Sequence, residues 1–188
     1  MVLLCMTASL LAGDAQPDDS WNPENARVGA RGTSFNMSVE KENIPDLGEV
    51  STLVLQSDQV DGGDTIIELG RIPADSGRNY RAVYYVKAEV DEPADGLYLM
   101  IRDHAALEGG APLNKEYHKL PSACRSIPGR DMGSWVKKEF VFIPGEGTEF
   151  LGGALVVSPF KGRIAISPVQ LLVDDGTDAP EAGSKRRR

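Results

Sequence analysis

Between Ser34 and Val173, apolar and polar residues alternate in runs of roughly six to twelve, the pattern of strands with one buried face and one wet face. Strands are predicted at about 34–40, 50–56, 64–69, 79–90, 96–102, 134–143, 153–158 and 162–173, each rich in Val, Ile, Leu, Tyr or Phe. The runs are separated by Asp61-Gly62-Gly63-Asp64, Pro93-Ala94-Asp95-Gly96, Pro144-Gly145-Glu146-Gly147 and Lys161-Gly162, where Gly supplies the positive φ that tight turns require. No window of a dozen residues carries a 3.6-residue period, so helices are expected to be few and short. The pattern predicts an all-β chain: an antiparallel two-sheet β-sandwich of jelly-roll type with about eight strands.

Alternation also assigns faces. Tyr80, Ala82, Tyr84, Val86 and Ala88 form the core side of one strand, with Arg81, Val83, Tyr85 and Lys87 opposite. Leu97, Leu99 and Ile101 form the core side of the next, with Tyr98, Met100 and Arg102 opposite. The intervening turn predicts that the two strands pair. Tyr85, Lys87, Tyr98 and Arg102 would then share one solvent-facing surface, the leading candidate ligand-binding site. A tyrosine ring can stack on the CH face of a sugar, and the two cations can bond hydroxyls or carboxylates. In the last strand Ile164 and Ile166 alternate one way and Val169, Leu171 and Val173 the other. A one-residue bulge at Ser167-Pro168 accounts for the switch.

With 188 residues the chain has room for one ordinary domain, and 41% hydrophobic with 26% charged residues suits a packed core. A formal net charge of −8 disfavours nucleic acid as a partner. Val2–Leu11 is apolar and uncharged and is followed by small residues, so residues 1–15 are expected to be a signal peptide, which implies a secreted, periplasmic or cell-surface protein. No run approaches the roughly 20 apolar residues that span a bilayer, so membrane insertion is not expected. Residues 16–33 read as a lead-in loop or edge strand, 34–174 as the sandwich, and the polar 175–188 as a disordered tail. With Cys5 in the expected signal, Cys124 has no partner for an intrachain disulfide.

The span from Asp103 to Gly133 carries His104, His118, Cys124 and several carboxylates. It contains no C-x-x-C or H-x-x-x-H pair, so no metal site is assigned, and the span is expected to be a surface loop with a short extra strand near 116–120. No carboxylate pair is placed face to face for glycoside hydrolysis, and no G-x-S-x-G or phosphate loop occurs. No catalytic residue is assigned, and the chain is not expected to be an enzyme.

Three segments carry a family resemblance: Gly77–Ala88 (GRNYRAVYYVKA), Trp135–Pro144 (WVKKEFVFIP) and Gly162–Leu171 (GRIAISPVQL). In order and spacing they resemble the landmarks of the jelly-roll carbohydrate-binding modules of families 4, 9 and 22, within the galactose-binding-domain-like superfamily. The resemblance implies a sugar bound on a concave sheet or at the loops along one edge. Such modules often carry an Asp pair before the final Val-x-Leu that helps hold a structural calcium; Ser167-Pro168 stands there instead, so that site is not carried over and no cofactor is assigned, with a structural calcium left open. The expected function is a secreted, non-catalytic domain binding a glycan or polysaccharide. The alternatives are a structural or adhesive envelope domain that binds a protein partner and, after it, a small secreted hydrolase.

Overall fold

The computed structural model describes residues 20–30, 32, 34–92, 97–119 and 133–174. Among them the chain forms twelve strands: β1 (Ser20–Trp21), β2 (Arg27–Ala30), β3 (Asn36–Ile44), β4 (Gly48–Ser57), β5 (Thr65–Pro73), β6 (Tyr80–Glu92), β7 (Leu97–His104), β8 (Asn114–Lys119), β9 (Val136–Phe142), β10 (Phe150–Val157), β11 (Lys161–Ile166) and β12 (Val169–Val173). One turn of 3-10 helix at Pro23–Asn25 is capped by the Asn22 side chain, which accepts the Glu24 N–H. The expected signal (1–15) and tail (175–188), His118's side chain and Cys124 lie outside the described residues.

The strands form two antiparallel sheets. The seven-stranded sheet runs β1-β12-β6-β11-β4-β3, with β9 on the other flank of β6; the five-stranded sheet runs β2-β5-β10-β7-β8. This is the predicted β-sandwich. Four strands beyond the predicted eight come from three places: the 16–33 segment supplies an edge strand to each sheet, β8 stands where the extra strand was expected, and the 162–173 run divides into β11 and β12.

The predicted inner faces are buried. Ala82, Tyr84, Val86 and Ala88 meet Leu97, Leu99, Ile101, Leu151 and Leu155 of the facing sheet in one core cluster. Burying a large aliphatic or aromatic side chain contributes about 1.5–3 kcal/mol, so this cluster dominates the stability of the sandwich. Tyr80, Phe142, Phe140 and Tyr84 form a row with centroids 5.9–6.3 Å apart, stacked at Tyr80–Phe142, tilted at Phe142–Phe140 and edge-on at Phe140–Tyr84.

The division of β11 from β12 is the predicted bulge. Ile166 pairs with Val86 and Gln170 with Val83, so the β11–β12 side advances by four residues where β6 advances by three. Ser167 fills the break: its N–H donates to the Tyr85 carbonyl and its hydroxyl accepts the Tyr85 N–H, both at 2.9 Å. The hydroxyl thus replaces a ladder carbonyl that the bulge has turned away.

One expectation is overturned. β6 and β7 do not pair; β6 is central in the seven-stranded sheet and β7 lies in the five-stranded one. The turn residues at 93–96 mark a connection but do not say whether it folds back within one sheet or crosses the roughly 10 Å to the other. Inner-face alternation is the same in both cases.

Candidate ligand-binding groove

Because β6 and β7 belong to different sheets, Tyr85 and Lys87 lie on one outer surface of the sandwich, and Tyr98 and Arg102 on the other. The structure does not bring the four together, nor does it leave them available. Tyr85 is only 4% exposed, and its hydroxyl donates to Asp46 Oδ2 at 3.1 Å. Burial raises its pKa, and the Asp46 bond and the negative charges of Asp46 and Glu139 raise it further. Lys87 lies 3.7 Å from Glu42 and 3.6 Å from Glu89. On the opposite surface, Arg102 is ion-paired with Glu68. Tyr98 is half-buried.

The outer surface of the seven-stranded sheet is closed by charge. Arg163 of β11 reaches Glu42 at 2.7 Å and Glu40 at 3.0 Å on β3, and Lys87 reaches the same Glu42 from β6. Burial opposes the charge of Arg163, but the bonds to Glu42 and Glu40 outweigh it and hold its pKa above the ordinary arginine value. The network spans β3 to β6 above Val54, Thr52 and Ala165, which are almost fully buried although they face outward. Its cations are already spoken for, so this surface offers a ligand little.

A groove of about 830 Å³ opens instead at the edge where β3 and β4 of one sheet approach β2 and β5 of the other. Asn36 and Gln56 are register partners there and both are exposed. They line its lip, their side chains carried by alternation toward the outer face with Val54, while Asp58 and Gln59 line it from the loop after β4. Phe35 and Met37 supply apolar surface; Phe35 is steadied by Phe160, centroids 6.4 Å apart.

Short backbone contacts hold the walls. Gly32 donates its N–H to Thr65 Oγ1 at 2.9 Å and accepts the Gly63 N–H at 3.0 Å. A Cβ on Gly32 would lie 2.4 Å from the Asp64 carbonyl oxygen, so the approach requires glycine. The Ser57 hydroxyl lies 2.8 Å from the Gln59 carbonyl and 3.0 Å from that of Ser34, and it donates to one of them. Gln59 Nε2 donates to Asp61 at 2.7 Å, which fixes the side chain at the rim.

Such a site can hydrogen-bond hydroxyl groups from several directions while an apolar wall accepts a CH face. Among the described residues no group of three or more His, Cys, Asp and Glu side chains is arranged to hold a metal ion. Sequence reading missed this groove because its lining comes from four strands and two loops; the one local signal was the Asp61–Asp64 turn beside it.

No protein-family model matches the chain, and no curated protein sequence matches it. Solved structures do resemble it in fold. The enzymatically active domain of bacteriophage CBA120 tailspike protein 4 is 17% identical with a TM-score of 0.62, over 81% of this chain and 20% of that one. The Clostridium thermocellum endo-1,4-β-D-xylanase 10B structure, CBM22-1-GH10 modules complexed with xylohexaose, is 12% identical with a TM-score of 0.50, over 86% of this chain and 28% of that one. Carbohydrate-binding modules of several other families are also among the structural neighbours. At these identities the likeness to the first two is one of architecture alone, and the chain spans a minor part of each.

Proposed function

We propose that the protein is a non-catalytic carbohydrate-binding domain, secreted or displayed at a cell surface or in a periplasm, that takes a glycan into the edge groove. The observation that carries this reading is the groove itself: about 830 Å³, lined by the polar Asn36, Gln56, Asp58 and Gln59 together with the apolar Phe35 and Met37. Loops along one edge are one of the two places where the resemblance to the family 4, 9 and 22 modules puts a sugar. The fold likeness brings no ligand with it, so the groove's chemistry decides the reading. The protein-binding alternative calls for a contiguous apolar patch; among the described residues Met37 and Val39 are exposed on β3, Val60, Leu107 and Leu113 in loops, and Val141 and Leu172 on strands that flank β6, where the charged Arg81 stands between them.

Affinity electrophoresis against a panel of neutral and acidic polysaccharides tests the proposal. Retardation by at least one glycan is expected, reduced in Gln56→Ala and unchanged in Lys87→Ala. Absence of retardation across the panel, or equal loss in both variants, would reject it.

A further inference from the structure

His104 ends β7 on the outer surface of the five-stranded sheet and is 3% exposed. Its ring lies over Gly152 of β10, where a Cβ would come within 2.8 Å of Nε2. Gly152 is the register partner of Arg71 on β5 and of Arg102 on β7. The imidazole therefore rests beside two guanidinium groups. Glu68 of β5 is the facing carboxylate, and Arg102 already holds it. Asp103 turns to the other side of the strand and accepts the Gly145 N–H at 2.7 Å. Glu149 donates its backbone N–H to the His104 carbonyl at 2.9 Å and is otherwise exposed, as is Glu108. β10 contributes no charge at this position, and β8, whose pairing stops at Asn114 opposite Asp103, places Lys115 in register with Arg102. His104 Nδ1 is buried with no hydrogen-bond partner, so no bond fixes the protonation state of the ring.

Beside this cluster Arg71 holds a loop. Its Nη1 donates to the carbonyls of Ala106 at 2.7 Å, Leu107 at 2.9 Å and Gly109 at 3.2 Å. The Leu113 N–H closes the base of the loop on the Asp103 carbonyl at 2.7 Å. Residues 105–111 are all exposed, and a Cβ added at Gly109 or Gly110 would touch nothing within 4 Å. The loop buries almost no apolar surface of its own, which places it at the low-stability end of the fold. The Arg71 bonds are its main attachment.

We propose that the 105–113 loop is a proton-released latch: a proton on His104 puts a further positive charge beside Arg71 and Arg102, repels Arg71 so that its grip on the three carbonyls is lost, and frees the loop. Burial lowers the pKa of His104, and the charges of Arg71 and Arg102 lower it further, against smaller opposing effects of Glu68 and Asp103. The imidazole is neutral and the latch shut at neutral pH. Opening removes the Arg71 contribution, so the ring takes up a proton more readily in the open state and closure weakens as pH falls through the His104 titration.

Hydrogen–deuterium exchange on the full chain between pH 7.5 and 4.5, expressed as protection factors, tests the latch. The Leu113 amide, which bonds the Asp103 carbonyl at the base of the loop, is expected to lose at least tenfold in protection on acidification while β5, β7 and β10 keep theirs, with a midpoint matching the His104 Cε1 proton titration. In His104→Gln the loop is expected to show no such loss. Flat protection in the wild type, an equal loss in His104→Gln, or simultaneous loss across the three strands would overturn the proposal. Should His104→Gln fail to fold, Arg71→Lys serves: one ammonium cannot reproduce the three-carbonyl grip, and the loop should be unprotected at every pH. Wild-type protection in that variant would also overturn it.

Discussion

The indole of Trp21 lies against Gly153 so closely that a Cβ there would come within 2.5 Å of the ring. Trp21 enters from a two-residue strand at the sheet edge and is 2% exposed within the core cluster. Gly153→Ala should therefore cost about 1–3 kcal/mol by overpacking, and Trp21→Ala about 3–5 kcal/mol by leaving a cavity. Urea unfolding followed by tyrosine fluorescence, which both variants retain, measures each. Additive costs in the double variant would mean that the two residues are not in contact.

Ser167→Ala removes the hydroxyl that accepts the buried Tyr85 N–H at the bulge. Leaving that donor unsatisfied should cost about 1–3 kcal/mol. Thermal unfolding measures the loss, and Ser167→Thr, which keeps the acceptor, should recover most of it.

Asp46 has φ 67°, a left-handed conformation that Asp and Asn tolerate better than most side chains. It also accepts the Tyr85 hydroxyl. Asp46→Asn should be nearly neutral in stability but should lower the pKa of Tyr85 toward its ordinary 10.0 by removing the negative charge. Asp46→Ala should cost more, losing the acceptor while keeping the strained backbone. Since the folded value is raised, Tyr85's contribution is intact below pH 10 and is lost as pH rises through the folded pKa. Absorbance titration of the phenolate, wild type against Asp46→Asn, reads the shift.

In the groove, Asn36→Ala and Gln56→Ala should each weaken glycan affinity about fivefold, the loss of one hydrogen bond of about 1 kcal/mol. Tyr85→Phe should leave affinity unchanged, because that ring is buried away from the groove. Calorimetric titration with a glycan that retards the protein checks all three.

What the sequence made legible was local. Alternation through Tyr80–Ala88 and Leu97–Ile101 identified core residues correctly, and the change of phase at Ser167 located the bulge. The candidate site failed because it required knowing which sheet each strand joins. Lys87 and Arg102 read as available cations, yet their partners Glu42 and Glu68 lie 45 and 34 residues away in the chain. Trp21 is the one aromatic residue in the polar segment 16–33; the glycine at 153, on a strand far along the chain, shows where it packs.

The break at Ser167 also divides mechanical load. β4 flanks β11 and β1 flanks β12, so the sheet forks along a single run of chain. Tension entering at Ser20 would bear on two residue pairs, Ser20 with Gln170 and Trp21 with Val169, and then on the indole lodged beside Gly153. The long β3–β4 and β4–β11 ladders lie on the other branch. A tethered molecule pulled from that end would give way first at a small clasp, before load reaches β2 and the groove it helps to line.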